Sequence, residues 1–130
     1  MYLADTSIWI DILNNNASNN NKELFASGKL GLTSTIYLEV LQGSKNTVLF
    51  KKIKQVLLEQ KFYYLKDQKE SYEQAALIYS KCRKKGITIR ASIDCLIAQC
   101  AIENDLILLH NDQDFERIAS VIPEFNQTIC

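Results

Sequence analysis

Residues 106–110 read LILLH. Four aliphatic side chains in a row, with no polar residue between them, describe a strand covered on both faces. Such strands belong to parallel sheets, whose crossover helices join the neighbours and cover them. The rest of the chain supplies matching pieces. YLA (2–4) and LGLTS (30–34) are short and apolar, KFYYL (61–65) is β-prone, and NQTI (126–129) fits a last edge strand. Helical spacing fills the intervals. SIWIDIL (7–13) puts Ile8, Ile12 and Trp9 on one face, and a short helix through KELFASG stops at Gly28. STIYLEVLQG runs from a Ser34 N-cap to Gly43. Residues 46–59 repeat the period at Leu49, Ile53, Val56 and Leu57. Residues 69–86 predict a long amphipathic helix with Tyr72, Ala75, Ala76, Tyr79 and Cys82 inward. Helices over 91–104 and QDFERIASVI (113–122) follow. NNNASNNNK (14–22), with six Asn in its first eight residues, reads as a mobile loop. Strands alternating with helices predict an α/β domain with a mainly parallel sheet of about four or five strands.

At 130 residues the chain has the length of a single domain, residues 1–130, and its 47% apolar content is enough for a core. The formal net charge is zero, so binding of nucleic acid has to rest on a local basic patch. No apolar run reaches the roughly 18 residues of a membrane span. MYLADTSIW has no basic leader region, and cytoplasmic residence is the expectation. Cys82, Cys95, Cys100 and Cys130 form no CxxC pair, which argues against a zinc site or a disulfide framework.

Chemistry in a parallel α/β sheet collects at the carboxyl ends of the strands. Asp5 directly follows YLA, and Asp112 follows LILLH, so both belong on one rim. Each also fits an N-cap. Asp94 is harder to explain structurally. In the helix ASIDCLIAQCAIEN its neighbours three, four and seven residues on are Ile97, Ala98 and Ala101, which puts the acid on the apolar stripe. A carboxylate there must be protonated, paired or bound to a metal. Glu39 lies mid-helix on a mixed face and is a weaker signal. Asp114, three residues after Asn111, has the spacing of a capping-box partner, with a supporting role behind the metal ligands as its functional alternative. A cluster of acids repels itself in a low dielectric, and a divalent cation resolves the conflict. Oxygen ligands alone favour Mg²⁺ or Mn²⁺. The chemistry that follows is metal-dependent hydrolysis of a phosphodiester.

DTSIWID (5–11), TIYLEVLQG (35–43) and RASIDCLIAQCAIENDLILLHNDQDFERIA (90–119), in this order and spacing, resemble the PIN-domain ribonucleases. The likeness is to the VapC-type toxins of toxin–antitoxin modules and covers roughly residues 1–120. It implies a three-layer α/β/α fold and four acids around Mg²⁺ or Mn²⁺ that cleave single-stranded RNA. Matched residue by residue, these are Asp5, Glu39, Asp94 and Asp112. Asp5, Asp94 and Asp112 are the implied metal ligands, with Glu39 and Asp114 behind them. Thr6 or Ser7 is the hydroxyl that follows the first acid. Many members carry Thr or Ser where this chain has His110, which leaves His110 to end the strand, reach the metal shell or bind RNA. The resemblance also implies a homodimer and a VapB-like antitoxin that neutralises the toxin.

Arg90, Lys84, Lys85 and His110 are the candidates for RNA contact. Basic runs such as SKCRKKG and KKIK are more often solvated helix faces, and Arg90, just before the Asp94 helix, is best placed. No aromatic stacking platform stands out, and Trp9 has core spacing. Two rival readings remain. One is a phospho-acceptor receiver-like domain with Asp67 as acceptor, in which Asp94 has no role. The other is a catalytically silent PIN scaffold, which sits poorly with four acids in place.

Overall fold

The structure is a computed structural model and describes residues 1–130. Five strands form one sheet: β1 (Tyr2–Ala4), β2 (Leu30–Leu32), β3 (Lys61–Phe62), β4 (Ile107–His110) and β5 (Asn126–Ile129). Their order is β3-β2-β1-β4-β5 and every pairing is parallel. The helices are α1 (Thr6–Leu13), α2 (Asn19–Ala26), α3 (Ser34–Gln42), α4 (Thr47–Leu58), α5 (Glu70–Lys84), α6 (Ser92–Glu103) and α7 (Gln113–Val121). Helices α1 to α4 pack among themselves, as do α5 to α7. Those two groups are the outer layers of an α/β/α sandwich. The central strands β1 and β4 carry the fully buried Leu3, Ala4 and Leu108, as a strand covered on both faces must.

The chain winds outward from β1 through β2 to β3, then crosses back to β4 and on to β5. The winding therefore reverses between β1 and β4. At such a point the flanking connections leave toward opposite faces and open a crevice at the carboxyl ends. Ala4 pairs with Leu109, so Asp5 and the residues after His110 emerge beside each other.

The boundaries predicted from pattern hold to within a residue or two except at β3, where only Lys61–Phe62 of the expected 61–65 form strand, and three further corrections apply. The Asn-rich segment is not all loop: Ser18 caps α2 by accepting the Asn21 N–H at 3.2 Å, and Asn21 is buried. A serine cap and the apolar Leu24 and Phe25, packed on the core, outweigh the poor helix propensity of three asparagines. The cap of α3 is Thr33 rather than Ser34, through the Ile36 N–H at 3.2 Å. Helix α5 is rotated from its predicted face. Ser71, Ala75, Ile78 and Cys82 are buried, while Tyr72 and Ala76 are exposed. The burial of Ser71 follows from polar partners that composition cannot reveal: it donates to Glu103 Oε1 at 3.0 Å and accepts from the Asp67 N–H at 3.1 Å. No helix is long and apolar enough to cross a membrane.

Candidate functional site

A cavity of about 340 Å³ opens at the switch point and is lined by Asp5, Thr6, Glu39, Arg90, Asp94, Asp112 and Asp114. Every acid predicted for the site is there. Asp5 and Asp112 come from the ends of β1 and β4, Glu39 reaches in from α3 in one layer, and Asp94 from α6 in the other. This convergence explains Glu39, whose mixed helix face was ambiguous in sequence. Thr6 Oγ1 donates to Glu39 Oε1 at 3.0 Å and holds it toward β1. Thr6, not Ser7, is therefore the hydroxyl of the site; Ser7 Oγ is buried without a partner.

Asp5 occupies the N-cap position of α1 but its side chain caps nothing. Burial pushes its carboxyl up to about 6; the Thr6 N–H offsets part of this, and Glu39 and Asp112 add repulsion. Asp94 is pushed up to about 7, again by burial first and then by Asp5, Asp112, Asp114 and Glu39. Neither acid has a cation of its own. The two central carboxyls thus share a low-dielectric space in which the chain alone does not neutralise them.

The fourth wall departs from its prediction at Asn111 and Asp114, while Asp112 takes the N-cap place it also fitted in sequence. Asp112, not Asn111, is the N-cap of α7: its Oδ1 accepts the Asp114 N–H at 2.9 Å and Arg90 Nη2 at 3.1 Å. Its Oδ2 has no protein partner and is left to the cavity. Asp114 is no capping-box acid. It is fully buried and takes the Arg90 N–H at 3.1 Å, Arg90 Nε at 3.2 Å and Arg117 Nη1 at 2.8 Å. Burial alone would raise its carboxyl, but these donors outweigh it and hold Asp114 below the ordinary carboxylate range. Arg90 is anchored at its Nε side while its side chain stays 72% exposed on the rim.

His110 does not line the cavity. It is fully buried, accepts the Asp112 N–H on Nδ1 at 3.1 Å, and meets Gln127 Oε1 with Nε2 at 2.6 Å. With Nδ1 accepting, the ring proton lies on Nε2 and donates to Gln127. Its role is to fix the turn that aims Asp112. Lys84 and Lys85 are exposed at the end of α5 and do not line the cavity. Trp9 is core, edge-on to Phe25 at 6.1 Å between centroids. Asp67 Oδ1 accepts the Lys69 and Glu70 N–H groups at 2.8 and 2.6 Å, so the receiver-like acceptor is spent on starting α5 beside the edge strand. Cys82, Cys95 and Cys100 are buried free thiols, while Cys130 is exposed.

The donor set fits a hard divalent cation: carboxylate oxygens, no thiol, and no histidine facing in. No three acids already close into a ready coordination shell. Mg²⁺ does not require one, since it typically keeps several waters beside one or two carboxylates.

The chain thus carries an acidic crevice at the switch point of a five-stranded parallel sheet, fed from both helical layers. The PIN-domain family model matches residues 2–121, and the chain belongs to that family. It is 27% identical over 126 residues to the VapC ribonuclease Mb1587 of Mycobacterium bovis and to the ribonuclease VapC11 of Mycobacterium tuberculosis, covering 93% of this chain and 93% of each relative. In fold it is similar to VapBC2 from Rickettsia felis bound to a DNA fragment from its promoter, with a TM-score of 0.76 at 20% identity over 99% of this chain and 98% of that one.

Proposed function

We propose that this protein is a divalent-metal-dependent endoribonuclease toxin of the VapC type, acting in the cytoplasm. The carrying observation is the pair Asp5 and Asp94, unneutralised at the switch point with Glu39 and Asp112 beside them. The names of the relatives support ribonuclease activity, and membership of the PIN family supports the metal.

Asp5, Asp94 and the free Oδ2 of Asp112 would hold Mg²⁺ or Mn²⁺, with Glu39 behind Thr6 and Asp114 behind Arg90. A cation held there supplies charge neutralisation and water activation for in-line displacement at phosphorus. The chain's own residues supply the rest. Asp5 and Asp94 are rigidly mounted on a strand end and a helix first turn. Arg90, fixed by Asp114, presents its outward N–H donors to a phosphate on the rim. A basic side chain from an antitoxin would suit the same cavity, and the VapBC complexes among the similar folds support neutralisation by a VapB-like partner. A homodimer is part of this proposal.

The test is cleavage of single-stranded RNA with Mn²⁺ or Mg²⁺. Asp94→Asn and Asp5→Ala should reduce cleavage by at least about 100-fold while the far-UV spectrum is unchanged. Wild-type protein, freed of antitoxin, that leaves total cellular RNA intact with either ion would refute the proposal.

A further inference from the structure

A second cavity lies on the same carboxyl rim, one strand away from the acids. It encloses about 190 Å³, less than the roughly 300–1,000 Å³ of drug-sized sites. Tyr63 and Tyr64, just past β3, and Tyr72 on α5 line it together with Thr33, Ser34 and Leu96.

The cavity is tied to the acidic crevice by topology. Leu3 pairs with Gly31, so Asp5 and Thr33 end neighbouring strands, roughly 4.8 Å apart across the sheet. Helix α3 brings Ser34 to the cavity and Glu39 to the acids, and α6 brings Leu96 to the one and Asp94 to the other.

The aromatic walls are held in place. A β-carbon at Gly31 would collide with the Tyr63 ring and come within 2.8 Å of the Lys61 carbonyl, so glycine is what lets that ring lie across β2. Tyr64 stacks on Phe62 at 6.3 Å, and its carbonyl accepts Asn104 Nδ2 at 3.1 Å. The following turn is pinned where the Lys66 N–H reaches Glu103 Oε1 at 2.8 Å. Yet Tyr64 is 62% and Tyr72 45% exposed. Aromatic rings standing open to solvent, among hydroxyls and the Gln68 amide, match a flat heterocycle with polar edges. Lys61, its Nζ 5.7 Å from the Tyr63 ring centroid, adds positive charge nearby.

We propose that this cavity is a base-binding subsite for single-stranded RNA, holding one nucleobase next to the phosphodiester that faces the acids. The proposal rests on the ribonuclease reading above. A strand laid along the rim passes from β1 to β3, its phosphate at Asp5 and a neighbouring base among the tyrosines. Stacking is indifferent to which base is present, so the subsite sets position along the strand rather than sequence.

The experiment uses the Asp94→Asn protein as a non-cleaving binder and fluorescein-labelled single-stranded RNA, read by anisotropy. One position at a time is made abasic. Removing the base at one position should weaken binding by roughly 5- to 100-fold, and Tyr64→Ala or Tyr72→Ala should weaken the intact RNA similarly. In Tyr72→Ala the same abasic change should cost little more, because ring and base are partners. Tyr72→Phe keeps the ring and should restore binding. In the cleaving protein, Tyr72→Ala should raise KM with kcat little altered. RNA that binds with a flat abasic profile overturns the subsite alone. So do tyrosine variants that leave RNA binding intact and change only self-association or capture of a VapB-like antitoxin. Failure of wild type to cleave and of Asp94→Asn to bind RNA overturns the ribonuclease reading itself.

Discussion

Two acids separated by one residue carry opposite duties in this protein. Asp112 keeps one carboxylate oxygen free at the crevice, whereas Asp114 spends both on arginines and a backbone amide. Asp112→Ala should therefore abolish RNA cleavage at a cost in stability of about 1 kcal/mol, the usual loss for an N-cap. Asp114→Ala should do the reverse in rank. Chemical denaturation should show on the order of 2 kcal/mol lost, since the Arg90 N–H and guanidinium and the Arg117 contact lose their buried acceptor. Part of the activity should survive. Equal loss of activity with equal stability would mean that both acids hold the metal. The sequence made Asp5, Asp94 and Asp112 legible because position after a strand, or on an apolar helix stripe, is a one-dimensional property. It could not assign Asp114, because Arg90 lies 24 residues away in the chain and the local partner Arg117, three residues on along α7, does not by itself reveal burial. Nor could it gather Tyr63, Tyr64 and Tyr72 into one wall, because Tyr72 looked inward on helical spacing and only the packing of α5 turns it out.

At the scale of elements, the strands and helices were readable wherever apolar periodicity dominates, and misread where polar side chains settle the outcome. Ser18 turned an asparagine run into the start of α2, and Ser71 with Glu103 set the rotation of α5. The join from β4 to α7 is another such place. His110 links three pieces: the end of β4, the Asp112 amide, and Gln127 on the edge strand β5. Replacing it with leucine fills the space but takes away the partner of the half-buried Gln127 side chain and of the Asp112 N–H. His110→Leu should cost about 1–3 kcal/mol and reduce kcat through misplacement of Asp112. Asparagine, whose carbonyl can stand in for Nδ1, should recover cleavage better than leucine does, whatever the loss in stability. Thermal melts and kcat measured on the two variants decide the matter; a leucine variant with wild-type kcat would show that the ring only fills space.

The molecule as a whole is built around a charge conflict that folding does not resolve, and this makes its stability depend on pH in a direction opposite to that of ordinary ion-paired acids. Asp5 and Asp94 titrate near 6 and 7 in the folded protein against an ordinary value of 3.8. The folded state therefore binds their protons more tightly than the unfolded chain does, and stability falls as pH rises through the interval from about 4 to 7. Asp114 and Glu103, held below their ordinary values, act the other way. Their contribution is present above the ordinary carboxylate range and is lost only in acid, so they leave the interval above pH 5 to the two central carboxyls. A divalent ion needs those carboxyls ionised and competes with their protons. Mn²⁺ should thus raise Tm little at pH 5 and clearly at pH 8, with about 2.7 kcal/mol of stabilisation at a hundredfold excess over Kd. Asp94→Asn removes one of the repelling charges. It should melt higher than wild type at pH 8 without metal, by roughly 1–2 kcal/mol after solvent screening, and gain little from Mn²⁺. On the proposed reading, the site weakens the metal-free fold for the sake of the cation it would bind. Differential scanning fluorimetry of both proteins with and without Mn²⁺ measures these melting points, and a Mn²⁺ increment equal at pH 5 and pH 8, or retained in Asp94→Asn, would place the metal elsewhere.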